Sequence, residues 1–135
     1  MHFNDLVSLI LESNKQLKTG MFKDRDGTKL WYVNNKEHRL DGPAVEYANG
    51  DKEWFVNGKR HRLDGPAIEW ADGTKAWYVN GKRHRLDGPA VEWADGSKFW
   101  FINGEELPET EFNAYKKQQD VKDIISKKDK SGWDL

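Results

Sequence analysis

The 135 residues suffice for one domain, and only 36% of them are hydrophobic, so any interior must be thin and draw its area from seven Trp, six Phe and four Tyr. The net charge of -1, from 22 Lys+Arg against 23 Asp+Glu, excludes a global field that would pull in nucleic acid or an anionic membrane. The lack of cysteine excludes a disulfide framework and thiolate metal centres.

The chain opens with apolar residues at Phe3, Leu6, Val7, Ile10, Leu11 and Leu17, the spacing of an amphipathic helix. Asn4 suits its N-cap and Gly20 its stop, so residues 1–20 are expected to form a capping helix. The longest apolar stretch, Leu9-Ile10-Leu11, is far too short to cross a bilayer, and the expected location is the cytoplasm.

Residues 21–107 are a repeat body. The string HRLDGPA occurs at His38–Ala44, His61–Ala67 and His84–Ala90, offset each time by 23 residues. Trp31, Trp54, Trp77 and Trp100 fall in phase, as do Tyr32, Phe55, Tyr78 and Phe101, then Val33, Val56, Val79 and Ile102. Each unit carries two turn signals. One is Asp26-Gly27, Asn49-Gly50, Asp72-Gly73 or Asp95-Gly96; the other is Asn34-Asn35, Asn57-Gly58, Asn80-Gly81 or Asn103-Gly104. Both predict tight type I′ hairpins, whose two central residues need positive φ. Between the turns lie β-prone segments such as Ala44–Tyr47 with Lys52–Val56, and Ala67–Trp70 with Lys75–Val79. The expected fold is mainly β: an elongated antiparallel meander of about four hairpin repeats, capped by a helix at each end. The closing helix is expected over 108–127, with Phe112, Tyr115, Val121, Ile124 and Ile125 as its apolar face and 128–135 as a flexible tail.

The run Trp77-Tyr78-Val79-Asn80-Gly81-Lys82-Arg83-His84, with Ala94-Asp95-Gly96-Ser97, resembles the MORN repeat (membrane occupation and recognition nexus), which shares the 23-residue period. The chain continues Arg85-Leu86-Asp87-Gly88-Pro89-Ala90 where MORN repeats usually have Gly-x-Gly. This HRxDGPA variant is similar to small repeat proteins of tailed bacteriophages and giant viruses, and more distantly to MORN-like bacterial antitoxins. The resemblance spans roughly Phe22 to Gly104 and implies a scaffold or binding surface. It implies a phage-encoded accessory protein that acts in host takeover or counter-defence by binding a host protein.

The chemistry-bearing residues are copied once per unit. With two strands per unit, His38, His61 and His84 stand roughly 9–10 Å apart. A zinc ion holds its ligands at about 2 Å, so these His cannot share a metal; no metal or cofactor is expected. Arg39, Arg62 and Arg85 are expected to pin Asp41, Asp64 and Asp87, while Glu46, Glu69 and Glu92 receive a neighbouring His or Lys. Catalysis wants one asymmetric constellation, whereas these groups recur in like surroundings, so a non-enzymatic protein-binding module is expected. The Trp row is expected in the core. The opposite stripe, Tyr32, Phe55, Tyr78 and Phe101, is the candidate binding face, with Arg62, Arg85, Lys52 and Lys75 as its basic rim. The alternative is an anionic ligand, a nucleotide or phospholipid, on that face. Partners are then a host or viral protein, or a second copy joined through hairpin edges; nucleic acid and membrane are not expected.

Overall fold

The computed structural model describes residues 4–6 and 17–130. The backbone is helical at residues 4–6, and most of the expected N-terminal helix lies outside the described residues. The protein is mainly β, a long antiparallel meander closed by one C-terminal helix.

The first strand, β1 (Gly20–Lys23), pairs with β2 (Lys29–Val33), which also pairs with β3 (Lys36–Glu37) and β4 (Val45–Glu46). The second unit contributes β5 (Lys52–Glu53), β6 (Phe55–Val56), β7 (Lys59–Arg60) and β8 (Ile68–Glu69). The third contributes β9 (Lys75–Ala76), β10 (Tyr78–Val79), β11 (Lys82–Arg83) and β12 (Val91–Glu92). The last hairpin is β13 (Lys98–Ile102) with β14 (Glu105–Leu107), followed by α1 (Glu109–Lys130). Strand order in the main sheet is β1-β2-β4-β5-β8-β9-β12-β13-β14, so each middle unit adds two strands; β6-β7 and β10-β11 form separate ladders.

The two turn signals give different turns. At Asn57-Gly58, Asn80-Gly81 and Asn103-Gly104 both residues have positive φ, as do Asn34 and Asn35, which is the type I′ pattern. At Asp26-Gly27, Asn49-Gly50, Asp72-Gly73 and Asp95-Gly96 only the glycine does, so the expected I′ turn is replaced there by a longer loop. The reason is the Asp or Asn side chain. Asp26 Oδ1 accepts the Thr28 N–H at 2.9 Å, Asp72 accepts that of Thr74 at 2.8 Å, and Asp95 that of Ser97 at 2.9 Å.

The strands expected over Lys52–Val56 and Lys75–Val79 each break at a tryptophan. Trp54 donates its N–H to Ala67 O at 2.8 Å on one side and accepts from the His61 N–H at 3.1 Å on the other. Its upstream half belongs to the sheet and its downstream half to the Asn57-Gly58 hairpin, so the chain swivels there. Trp77 repeats this with Ala90 and His84.

Register places two different rows on the two faces. Lys29, Glu46, Lys52, Glu69, Lys75, Glu92 and Lys98 stand opposite one another in succession. One residue away, on the other face, run Leu30, Val45, Glu53, Ile68, Ala76, Val91 and Phe99. The core is correspondingly thin: Ala44, Val45, Ala67, Ile68, Ala76, Ala90, Val91, Phe101, Ile102 and Phe112.

Helix α1 contacts β13 and β14, burying Phe112 and half-burying Tyr115. Val121, Ile124 and Ile125, expected on the docked face, are exposed. Twenty-two helical residues span about 33 Å, whereas the five-residue strand beneath spans about 17 Å, so the helix overshoots its hairpin. It runs to Lys130, three residues past the expected end, with Lys127, Lys128 and Lys130 in the last turn, where cations suit the helix dipole.

Candidate binding surface

The HRLDGPA signature becomes legible one residue at a time. His38, His61 and His84 accept, on Nδ1, the backbone N–H of Asn57, Asn80 and Asn103 in the next unit, each at 3.0 Å. They therefore latch successive hairpins together, and Glu46, Glu69 and Glu92 take their ion pairs from Arg instead of His. The Arg62 guanidinium lies 3.9 Å from the Trp54 ring centroid. It donates from Nε to Asp64 at 3.0 Å and from Nη1 to Pro66 O at 3.0 Å and Glu69 at 3.2 Å. Arg39 on Trp31 and Arg85 on Trp77 do the same. The expected Arg–Asp pins are present. The glycine of the signature makes room for the stack, since a Cβ on Gly65 would sit 2.8 Å from Arg62 Cζ. The alanine is fully buried, and its carbonyl accepts the Trp N–H.

The leucine alone lacks a structural partner of this kind. Leu40 and Leu63 are 81% exposed and Leu86 is 47% exposed. They wall two open grooves on the tryptophan side of the sheet. The first, about 610 Å³, lies between the Leu40 and Leu63 loops with Trp54, Val56 and His61 in its lining. The second, about 640 Å³, lies between the Leu63 and Leu86 loops with Trp77, Val79 and His84. Over the last unit the corresponding space is bounded by Ile102, Leu107 and Tyr115 of α1.

The candidate residues named from sequence divide between the faces. Tyr32, Phe55, Tyr78 and Phe101 lie on the face of the apolar row, and they are not the open stripe expected. Tyr32 packs against Phe22 under the Lys18 ammonium, Phe55 and Tyr78 share Arg60, and Phe101 is buried beneath Arg83. Burial first, then the charges of Glu37 and Asp24, raises the Tyr32 pKa. The basic rim lies on the opposite, tryptophan face, because Arg62 stacks on Trp54 and pairs with Glu69, which stands opposite Lys52 and Lys75. The structure therefore does not assemble the four aromatics and the four cations into one site. The Trp row, expected in the core, is half-buried, and Trp31, Trp54 and Trp77 are roofed by arginine.

Sequence reading missed two features. One is the leucine row, which was visible as a residue repeated without an evident partner. The other is the row Tyr47, Trp70 and Trp93, also 23 residues apart and exposed on the apolar face, with Trp70 and Trp93 in edge contact at 6.0 Å. Beside Tyr47 sits Glu53, buried at 7% exposure, which accepts from the Tyr47 hydroxyl at 2.9 Å and from Arg60 at 3.0 and 3.2 Å. Burial and the hydrogen bond to Glu53 push the Tyr47 pKa up to about 12. Among the described residues, no cluster of His, Asp and Glu could hold a metal, and no helix is long and apolar enough to cross a membrane. Comparison with family models, curated proteins and solved structures gives no match to this chain.

Proposed function

We propose that the chain is a non-enzymatic, MORN-like repeat module that binds another protein along the grooves walled by Leu40, Leu63 and Leu86. The observation that carries this reading is the leucine itself. Every other residue of the signature for which a contact is described serves the fold, while this one stands exposed in three copies, most fully at Leu40 and Leu63. A lone exposed leucine needs no explanation, but a row of three flanking Trp-floored grooves is the composition of a partner site. The titratable groups recur in equivalent surroundings, which supports binding over catalysis. The viral resemblance makes a host protein the preferred partner, in host takeover or counter-defence.

The alternative, an anionic ligand held by Arg62 and Arg85, draws less support. Each guanidinium already faces two carboxylates, and Lys52 and Lys75 each stand between two glutamates. Capture from a bacterial lysate by the wild-type chain and by Leu63→Ser tests the choice. The expected result is a protein retained at high salt by the wild type and lost by the variant. Retention unchanged by Leu63→Ser contradicts this site, and binding abolished by moderate salt favours the anionic ligand.

A further inference from the structure

The spacing of the grooves restricts what can occupy both at once. They repeat once per unit, and each unit adds two strands to the sheet, so their pitch is about 9.4–9.8 Å. An extended β-strand repeats its side chains on one face every 6.6–6.8 Å or so and then at about 13 Å, missing the second groove by several ångströms. An α-helix returns to the same face after seven residues, about 10.5 Å along. A polyproline II helix completes its turn in three residues, at about 9.3 Å, and falls within half an ångström of the pitch. We propose, building on the protein-binding reading above, that the two grooves receive a proline-rich segment in polyproline II conformation, seating apolar residues three apart over Trp54 and Trp77.

The rest of the surface suits that occupant. Polyproline II has no internal hydrogen bonds, so its carbonyls need donors from the groove. Because Nδ1 of His61 and of His84 accepts a backbone N–H, each neutral imidazole carries its proton on Nε2 and is a donor in the groove lining. Asp41, Asp64 and Asp87 are 79–86% exposed and receive Arg Nε on one oxygen, so they favour a ligand with flanking Arg or Lys. Among the described residues, the two grooves over Trp54 and Trp77 stand in tandem, which suits one pair of apolar residues.

The test uses the full chain and fluorescence anisotropy. The probe is fluorescein-labelled Ala-Arg-Pro-Leu-Pro-Pro-Leu-Pro-Arg-Ala, whose leucines are three apart. Its comparison peptides are the same residues with the leucines two apart, and an Ala-, Glu- and Lys-based helix with leucines seven apart. The expected result is binding about tenfold tighter for the three-apart peptide than for either other, lost by about tenfold in Leu63→Ser and in Leu40→Ser. Both leucines are solvent-exposed, so the variants remain folded, which circular dichroism checks. Equal affinity for all three peptides, tighter binding of the helix, no binding at millimolar concentration, or indifference to Leu63→Ser overturns the proposal. If the peptide fails while Leu63-dependent capture from lysate persists, only the polyproline occupant falls. If both fail, the protein-binding reading falls with it.

Discussion

The two faces of the sheet solve the same stacking problem with different chemistry. On the tryptophan face, three successive units repeat one device: an arginine on an indole (Trp31, Trp54 and Trp77), an aspartate and a glutamate on the arginine, and lysines between glutamates. On the other face the row is apolar and varies, with Leu30, Val45, Glu53, Ile68, Ala76, Val91 and Phe99 in succession. The repeated face fixes unit against unit by polar geometry, and the variable face fills whatever space remains. Glu53 is the sharpest departure, since 23 residues on Ala76 stands in its place and Trp70 in that of Tyr47.

The largest effect should come from breaking that departure. Arg60→Met leaves the buried Glu53 carboxylate with only the Tyr47 hydroxyl and is expected to cost about 3 kcal/mol in urea unfolding. Arg83→Met, at the same position one unit on, loses an exposed bond to the Tyr78 hydroxyl instead of one to a buried glutamate and should cost under about 1 kcal/mol. Adding Glu53→Ala to Arg60→Met should return most of the loss. Equal effects of the two arginine changes would contradict the distinction between the units.

On the repeated face, Arg62→Ala removes the stack on Trp54 and the bonds to Pro66 and Glu69, with an expected cost of about 2 kcal/mol. Arg62→Lys should recover little, because an ammonium cannot lie flat on the indole while serving three acceptors. Full recovery by lysine would mean that charge alone matters there.

A smaller effect concerns pH. Burial lowers the His84 pKa, so the unfolded chain takes up that proton first as pH falls. His84 therefore contributes stability that is complete above about pH 6.5 and declines below it, as pH falls towards and through the lowered folded value. Protonation also removes the Nδ1 lone pair that holds the Asn103 N–H. Chemical unfolding at pH 7.5 and pH 5.5 should show this loss, and His84→Gln should diminish it.

Much of this was readable in the residues because its signals are local. Asn57-Gly58 encodes its turn without help from the rest of the chain, and Arg62 with Asp64 two residues on encodes its pin. What escaped depends on partners distant in sequence. Asn49-Gly50 resembles Asn57-Gly58 until Asn49 Oδ1 captures the Asp51 N–H. The swivel at Trp54 arises from bonds to Ala67 and His61, and the assignment of Phe55 and Arg62 to opposite faces follows from the register through Glu69. The exposure of Leu63 follows no periodicity, because loop residues have none. Glu53 reads as an exposed strand acid until Tyr47 and Arg60 are seen around it.

The smallest expected effect on folding belongs to the leucines, and it carries the most weight. The most direct measurement is paired: urea unfolding and partner capture for the chain with Leu40→Ser, Leu63→Ser and Leu86→Ser combined. Stability is expected within about 0.5 kcal/mol per site of the wild type, with the captured protein lost. A large fall in stability, or a partner still held, would show that the leucine row is not the surface this fold presents to another protein.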